Sequence, residues 1–339
     1  MSFRVKRQVR PVPEPHPRTH PHQGATITLI PRTDLDVYPL NLGGNTFGWT
    51  SDRDTSFAVL DAFVKAGGNF IDTADLYSAW GEGLSGGESE TVIGGWLAAR
   101  DNREQVIIAT KVGGLESRPG LSAENADAAL DESLQRLQTE YVDIYYAHYD
   151  DESMSIEDQV RTAHELVQSG RVRHIGLSNY TPERMREWFE VASREGLTLP
   201  VAIQPQYNLV NRKDYEQGYA PIAREYEVAV FPYFALASGF LTGKYRKAED
   251  LKGQTREDFA SGFATDEGFA VVDALVEVAE ARSVEPASVA LAWLLAKGVT
   301  APIASARTPE QLPALLAATG ITLSADDLEK LDAASLPFA

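Results

Sequence analysis

The chain has 339 residues, of which 43% are hydrophobic and 24% charged, so it can form a large core and is not of the disordered class. Its formal net charge of −18 would repel a polyphosphate backbone, which argues against nucleic acid as a partner. It has no cysteine, which excludes disulfides and thiolate chemistry, and no apolar run approaches the roughly 20 residues of a membrane span, so we do not expect a membrane protein.

The first 25 residues differ in composition from the rest. They are rich in arginine, proline and histidine, lack apolar periodicity, and place prolines where a signal peptide needs an apolar core. We expect residues 1–25 to be a disordered tail and residues 26–339 to be a single domain of a cytoplasmic protein. His16, His20 and His22 are potential metal ligands, but solvated side chains are the simpler interpretation.

From Tyr38 onward, short apolar runs alternate with amphipathic stretches, which is typical of an α/β fold. Eight runs are predicted as strands: Pro39–Gly43, Asn69–Asp72, Val106–Thr110, Val142–Ala147, His174–Leu177, Val201–Gln204, Val228–Tyr233 and Thr300–Ala304. The predicted helices are Asp54–Ala66, Glu88–Arg100, Ala123–Leu137, Ile156–Ser169, Thr181–Arg194, Tyr215–Glu225, Gly268–Arg282 and Pro286–Lys297, with a last short helix after Thr308. Capping residues such as Ser122 and Thr181 precede several of them.

The spacing of the predicted strands favours a (β/α)8 TIM barrel of parallel strands. Strand ends recur roughly every 25 to 40 residues, about the size of one βα unit. A doubly wound open sheet is the competitor, but its polar residues would cluster at one switch point. Here polar residues follow nearly every strand, so we expect a barrel with its site at the C-terminal face.

Four residues at three successive strand ends are the candidate catalytic group. The second strand ends at Asp72 and is followed by Tyr77, the third leads into Lys111, and the fourth into His148. Taken singly, Asp72 could cap a turn and His148 could be a structural histidine. Together, Lys111 would stabilise the phenolate of Tyr77, Asp72 would hold Lys111, and His148 would hydrogen-bond the substrate oxygen. Such a site protonates a carbonyl oxygen, and the matching hydride requires a redox cofactor.

These motifs resemble the aldo-keto reductase superfamily from about Leu35 to the C-terminus, in particular the bacterial and potassium-channel-β-subunit-like branches. The phrases that carry the resemblance are Asp72-Thr73-Ala74-Asp75-Leu76-Tyr77, Gly87-Glu88-Ser89-Glu90, Gly176-Leu177-Ser178-Asn179-Tyr180, Gln204-Pro205-Gln206-Tyr207-Asn208, Leu241-Thr242-Gly243-Lys244-Tyr245 and Arg307-Thr308-Pro309-Glu310-Gln311. The resemblance implies reversible, NADP(H)-dependent reduction of an aldehyde or ketone, with NAD(H) possible as the cofactor. Tyr77 would be the proton donor, Lys111 and Asp72 its tuning pair, and His148 the carbonyl-orienting group.

The same resemblance assigns the cofactor contacts. Ser178, Asn179 and Gln204 match the positions that hold the carboxamide, and Tyr233 matches the ring stacked on the nicotinamide. The pyrophosphate loop corresponds to Leu236, Ser238, Leu241 and Lys244, and the adenosine end to Ser305, Arg307 and Gln311. Arg307 is the natural partner of a 2′-phosphate because guanidinium pairs with phosphate through two hydrogen bonds. Trp49 and Trp80 lie in loops that commonly line the substrate pocket, although ordinary packing also accounts for them.

Two positions depart from the family pattern. Phe234 and Ala235 follow the stacking tyrosine where Ser and Pro are usual, and Leu315 stands where many members have an adenine-reading asparagine. Both departures predict weaker cofactor contacts.

Other interpretations follow from single motifs. Residues 81–86 spell GxGxxG, but they begin nine residues after the strand end, whereas a Rossmann fingerprint begins at once. His148, His174 and Asp72 resemble a metal set, yet His174 opens its strand and would lie at the opposite rim, so we expect no metal. The main alternative function is a cofactor-binding regulatory subunit, similar to channel β-subunits, with little turnover. The sequence does not indicate the oligomeric state or the carbonyl substrate.

Overall fold

Within the part of the chain that this computed structural model describes, residues 27–253 and 257–339, the centre is an eight-stranded parallel sheet. The strands are β1 (Asn41–Gly43), β2 (Phe70–Asp72), β3 (Ile107–Val112), β4 (Val142–Ala147), β5 (Val172–Ser178), β6 (Ala202–Gln204), β7 (Ala229–Val230) and β8 (Ile303–Ala304). Each strand from β1 to β6 pairs in parallel with the next, and β8 pairs with β1. The predicted tail, residues 1–25, lies outside the described residues.

Backbone hydrogen bonds close the remaining gap between β7 and β8. Thr300 N donates to the Val230 carbonyl at 3.0 Å, and Ile303 N donates to the Pro232 carbonyl at 3.0 Å. Because every strand lies beside its neighbour in the chain, the strand order never reverses, and the doubly wound alternative is wrong. The (β/α)8 barrel is confirmed.

Helices cover the outside of the sheet. They are α1 (Arg53–Lys65), α2 (Glu88–Arg100), α3 (Ala123–Leu137), α4 (Ile156–Gln168), α5 (Pro182–Glu195), α6 (Ala220–Glu225), α7 (Glu257–Ala260), α8 (Asp266–Arg282), α9 (Pro286–Ala296), α10 (Leu312–Ala317) and α11 (Ala325–Ala334). Side chains of Ser122 and Thr181 cap α3 and α5 as predicted. Helix α11, which the sequence analysis did not predict, begins with a capping box between Ser324 and Asp327.

Prolines account for several shifted boundaries. The predicted helix Tyr215–Glu225 is instead a π-helical turn, Tyr215–Tyr219, followed by α6. The helix is interrupted because Pro221 has no N–H to donate and its ring would clash with the carbonyl four residues earlier. Strand β7 stops before Pro232 and β8 begins after Pro302, both inside the predicted strands. Strand β3 instead ends two residues later than predicted, so Lys111 lies within it.

An antiparallel hairpin that the sequence analysis missed precedes the barrel. Its strands, Thr28–Leu29 and Asp36–Val37, are only two residues long and leave almost no periodicity. Ile30, Leu35 and Val37 are 0% exposed and join the inner core. The hairpin therefore seals the N-terminal end of the barrel, opposite the carboxyl ends of the strands.

No helix in the described ranges is both long and apolar enough to cross a membrane.

Candidate active site

The strands point every second side chain into the barrel, and the candidate site residues continue these inward rows. For five of these residues, the side chain two positions earlier in the chain belongs to the inner core. The pairs are Phe70 and Asp72, Ala109 and Lys111, Tyr146 and His148, Ala202 and Gln204, and Phe231 and Tyr233. Layers of apolar side chains therefore fill the barrel interior, and polar side chains follow them at the carboxyl ends of the strands.

Asp72, Tyr77 and Lys111 form a hydrogen-bonded triangle. Lys111 Nζ donates to Asp72 Oδ2 at 2.6 Å and to Tyr77 Oη at 2.7 Å, and Tyr77 Oη donates to the same Oδ2 at 2.8 Å. Lys111 Nζ also donates to the Thr73 carbonyl at 2.9 Å, so each ammonium hydrogen has an acceptor. The side chains of Asp72 and Lys111 are 0% exposed, so this charge pair is fully shielded from solvent.

Tight turns in the loop after β2 bring Tyr77 back over Lys111. Tyr77 N donates to the Ala74 carbonyl at 3.2 Å, and Ser78 has a left-handed φ of 80°. Ser78 Oγ donates to the Phe47 carbonyl at 3.0 Å, which holds the loop against the segment after β1. The Lys111 ammonium then lies 4.3 Å from the centre of the Tyr77 ring, a cation–π distance.

The local electrostatics keep Tyr77 protonated. Burial, together with the Asp72 carboxylate, raises the pKa of Tyr77 well above its usual value near 10. Burial lowers the pKa of Lys111, and the Asp72 carboxylate opposes that shift. Tyr77 is therefore a neutral phenol in this arrangement, and stabilisation of its phenolate by Lys111 stays a prediction.

His148 directly follows β4 and lies beside the tyrosine. Its ring centre is 6.2 Å from that of Tyr77, and its ring stacks on Tyr149 at 4.7 Å. His148 N donates to the Val112 carbonyl at 2.9 Å, which fixes its backbone against β3. Burial lowers the pKa of His148 well below 6.5, and the charge of Lys111 lowers it further. The imidazole is therefore neutral at pH 7 and has both a donor and an acceptor nitrogen.

Asn179 connects the predicted carboxamide-binding residues. Its Nδ2 donates to the His148 carbonyl at 2.8 Å and to Ser178 Oγ at 3.0 Å, and its Oδ1 accepts from Tyr233 Oη at 2.8 Å. Asn179 has a left-handed φ of 54°, which asparagine tolerates better than most residues. The structure therefore brings Ser178, Asn179 and Tyr233 together next to the catalytic candidates.

Gln204 joins this group to the triangle. Ser178 Oγ donates to the Gln204 carbonyl at 2.9 Å, and Gln204 Nε2 donates to Asp72 Oδ1 at 2.9 Å. Gln204 was predicted only as a cofactor contact. Gln204 also hydrogen-bonds Asp72, a catalytic candidate, because its side chain points into the barrel at the same height as that of Asp72.

The predicted pyrophosphate loop is a sequence of tight turns. Ala237–Thr242 is a 3₁₀ segment in which Ser238 and Gly239 have positive φ angles of 57° and 93°. Leu241 is 0% exposed and packs in the core, so its side chain does not face a ligand at this loop. Lys244 is exposed, with its ammonium 4.5 Å from the ring centre of Tyr245.

The predicted adenosine end is held against the segment after β1. Ser305 Oγ donates to Asn45 Oδ1 at 2.6 Å, and Ser51 Oγ donates to the Arg307 carbonyl at 2.9 Å. Arg307 N donates to Gln311 Oε1 at 2.8 Å, so this side-chain oxygen already has a partner. The three predicted residues thus lie together in one anchored loop.

The donor set suits an anionic ligand. Among residues 27–253 and 257–339, neither Lys244 nor the guanidinium of Arg307 forms a salt bridge, although the chain carries a net charge of −18. Cations without a carboxylate partner, combined with the amides of Asn179 and Gln204 and the half-buried ring of Tyr233, fit a nicotinamide dinucleotide with its phosphates.

Aromatic side chains line the approach to Tyr77. The ring centres of Trp49 and Trp80 are 5.7 Å apart, and Trp80 is 5.9 Å from Tyr77. Trp80 is 42% exposed and Tyr149 is 44% exposed, so both present open ring surface. The sequence analysis missed Tyr149, although an aromatic directly after a strand-end histidine was a usable signal.

The GxGxxG segment at residues 81–86 does not cradle a phosphate. The amides of Ser85 and Gly86 donate to the two carboxylate oxygens of Glu88, at 2.8 and 2.9 Å. A phosphate would need these same donors, and the acid that occupies them would repel it.

The metal interpretation has no support in the described ranges. They contain no group of three or more histidine, aspartate or glutamate side chains placed to hold an ion. His174 contacts Asp34 of the hairpin at 3.9 Å, so it lies at the rim opposite Asp72 and His148, as predicted.

Comparison with known proteins agrees with this geometry. Residues 39–336 match the family model described as the aldo/keto reductase family. The chain is similar to norsolorinic acid reductase stcV of Emericella nidulans, with 32% identity over 97% of this chain and 84% of the relative. It is also similar to the protein tas of Escherichia coli, with 30% identity over 90% of this chain and 96% of that protein. An aryl-alcohol dehydrogenase [NADP(+)] of Phanerodontia chrysosporium is 32% identical over 97% of this chain and 89% of its own length.

Proposed function

The chain belongs to the aldo/keto reductase family, and we propose that it reversibly reduces an aldehyde or ketone to the alcohol with NADP(H), Tyr77 supplying the proton. The observation that carries the proposal is the buried triangle of Asp72, Tyr77 and Lys111. A phenol between a carboxylate and an ammonium, at the carboxyl edge of a barrel, is suited to acid–base work on a small substrate.

When bound, the nicotinamide would supply the hydride that the carbonyl carbon receives. Tyr77 donates its proton to the carbonyl oxygen as negative charge develops there. Its raised pKa does not prevent this step, because an alkoxide is more basic than a phenolate. Lys111 Nζ, 2.7 Å from Tyr77 Oη, stabilises the phenolate that remains, and Asp72 holds Lys111 in place.

His148 orients the substrate in this proposal. A neutral imidazole beside Tyr77 can donate one hydrogen bond to the carbonyl oxygen without adding a charge that competes with Lys111. The Asn179 bond to the His148 carbonyl keeps this residue at the level of Tyr77.

The cofactor residues follow from the anchored loops. We assign the carboxamide to Ser178, Asn179 and Gln204, and the nicotinamide ring to Tyr233. The pyrophosphate goes to Leu236, Ser238, Leu241 and Lys244, and the adenosine end to Ser305, Arg307 and Gln311. Arg307 has no carboxylate partner in the described ranges, which supports NADP(H) over NAD(H), and one similar protein carries NADP(+) in its name.

The aromatic approach to Tyr77 supports a substrate with a planar, apolar portion. Trp49, Trp80 and Tyr149 would contact it through ring faces and edges. One similar protein is named for aryl alcohols, in agreement with an aromatic carbonyl compound. A cytoplasmic location stays a prediction from the sequence.

Turnover with a panel of aromatic and aliphatic aldehydes and ketones, each with NADPH and NADH, tests the proposal. We expect NADPH-dependent reduction that falls by about 10²- to 10⁴-fold in Tyr77→Phe while cofactor binding persists. Tyr141→Phe is the matched control, since it removes a hydroxyl at the N-terminal end of β4, where it donates only to Glu104. Near wild-type turnover in Tyr77→Phe would contradict the mechanism, and cofactor binding without turnover in the wild type would favour the regulatory alternative.

A further inference from the structure

Asp75 is a buried acid that the proposed mechanism leaves without a role. It lies between Asp72 and Tyr77 in the chain, and its backbone N–H points to the Lys111 carbonyl at 3.4 Å, so it sits beside β3. The residue is 2% exposed, and neither of its carboxylate oxygens has a hydrogen-bonding partner among the described residues. A buried carboxyl group without a partner is costly and calls for an explanation.

Charged and titratable groups on four neighbouring elements interact electrostatically with Asp75. They are Lys111 on β3, Glu90 on α2, Arg136 on α3 and Tyr145 on β4. Asp72 and Tyr77 are the titratable groups nearest in the chain on its own segment. Helices α2 and α3 approach closely at Gly94, where a Cβ would lie 2.1 Å from the Arg136 carbonyl oxygen. This close packing lets Arg136 Nε donate to Glu90 Oε2 at 2.6 Å.

The charges of the buried part of this cluster balance only when Asp75 is uncharged. Lys111 and Arg136 carry two positive charges, which the buried Asp72 and Glu90 neutralise through direct contacts at 2.6 Å each. Arg136 also lies 3.8 Å from Glu132, whose side chain is 43% exposed and faces solvent. Among the described residues Asp75 has no such contact, so its ionisation leaves one uncompensated buried negative charge next to Lys111. That charge opposes the phenolate that proton transfer leaves on Tyr77.

We propose that Asp75 is a positioning residue whose charge controls proton donation by Tyr77: the uncharged acid permits the transfer, and the carboxylate hinders it. The inference rests on the proposed function, because it concerns the same proton. Asp75 acts through Lys111 and does not touch the substrate.

Asp75 changes its charge within the physiological pH range. Burial, and then the charge of Glu90, raises the pKa of Asp75 to about 7. The nearby Leu76 N–H, which does not reach hydrogen-bond geometry, and the charges of Arg136 and Lys111 oppose the shift. The uncharged form therefore predominates below pH 7 and the carboxylate above it. Reduction should become slower as the pH rises through this value.

The test is the pH profile of kcat/KM for reduction, at saturating NADPH, in the wild type and Asp75→Asn. We expect the wild-type value to fall about tenfold from pH 6 to pH 8, the size of effect that one charge exerts over roughly 10 Å at an effective dielectric constant of about 20. The amide stays uncharged, so Asp75→Asn should keep its pH 6 value at pH 8 and exceed the wild type there. A purely structural role would lower activity at every pH and would not produce this gain.

Two further variants test whether the pH dependence belongs to Asp75. Glu90→Gln removes the charge that raises the pKa of Asp75, so the inflection should move to lower pH. Asp54→Asn makes the same chemical change at a side chain that is 93% exposed on α1, and its profile should match the wild type. An unchanged inflection in both Asp75→Asn and Glu90→Gln would overturn the inference.

A measurement without turnover separates this inference from the proposed function. If the wild type reduces no carbonyl compound at any pH, the proposed function fails, and unfolding by denaturant at pH 5 and pH 8 still shows whether Asp75 titrates. A wild-type pH dependence of stability identical to that of Asp75→Asn would overturn the inference on its own.

Discussion

Gln204 Nε2 donates to Asp72 Oδ1 at 2.9 Å, and both side chains are buried. The other carboxylate oxygen of Asp72 accepts from Lys111 and Tyr77, so the amide of Gln204 determines how the carboxylate is rotated toward these two residues. A residue proposed to bind the cofactor therefore also orients the proposed proton-donor group. A hydrogen bond to a charged group contributes about 1.5–3 kcal/mol, so the loss of this contact should be measurable in the activity.

Gln204→Met keeps the length of the side chain and removes the amide. We expect kcat for carbonyl reduction to fall about tenfold to a hundredfold, because a hydrogen bond to a buried charge is lost. The kcat of Gln204→Glu should fall further, since this change places a second carboxylate against Asp72. Steady-state kinetics with a thermal melt of each variant checks the order, and equal activity of Gln204→Glu and the wild type would contradict it.

The buried pair of Asp72 and Lys111 predicts a double-mutant cycle. Asp72→Asn and Lys111→Met each leave a partner charge without compensation, so each should cost about 3–5 kcal/mol of unfolding free energy. The double variant removes both charges and should regain most of that stability without regaining activity. Denaturant unfolding with turnover assays measures both, and additive losses in the double variant would show that the pair is not coupled.

Much of this site follows from sequence periodicity. Asp72, Lys111 and Gln204 stand two positions beyond inward apolar residues, so the alternation that forms the barrel also assembles the site. The order of strands and helices fixes which strand ends are neighbours, which is why Asp72 and Lys111 were predicted to pair.

The rest depends on contacts that one sequence does not encode locally. The hairpin strands are too short for a period, and the π-turn arises from Pro221 in a helical context. The raised pKa of Tyr77 depends on burial and on the bond to Asp72, which are properties of the folded packing. Nothing in the sequence around Asp75 indicates that its carboxyl group finds no hydrogen-bonding partner among the described residues.

Arg307 and Lys244 should differ in their effects on the two nicotinamide cofactors. Arg307→Ala removes the proposed partner of the 2′-phosphate, so the dissociation constant for NADPH should rise about tenfold to a hundredfold and that for NADH by less than about twofold. Lys244→Ala removes a proposed pyrophosphate contact, so both constants should rise together. Fluorescence titration of each variant measures them, with Arg53→Ala on exposed α1 as the control. Equal effects of Arg307→Ala on both cofactors would contradict the phosphate assignment.

Trp80 should distinguish aromatic from aliphatic substrates. Its ring is 42% exposed and lies 5.9 Å from that of Tyr77. Trp80→Ala should raise KM for aromatic aldehydes about tenfold, because a ring contact is worth roughly 1 kcal/mol beyond the buried area. KM for short aliphatic aldehydes should change by less than about twofold. Parallel increases for both classes would instead indicate that Trp80 only supports the loop.

Asp75 also predicts how folding stability depends on pH. Its pKa is about 7 in the folded protein, against an ordinary value of 3.8, so the folded state binds more protons than the unfolded chain between these values. The uncharged acid therefore contributes its full stability below about pH 4, and this contribution is lost as the pH rises through 7. The amide of Asp75→Asn does not ionise, so the variant does not lose this stabilisation. Its free energy of unfolding relative to that of the wild type should therefore increase by on the order of 4 kcal/mol from pH 4 to pH 8. Denaturant unfolding of both proteins across this range measures the difference, and a difference independent of pH would show that Asp75 is ionised throughout.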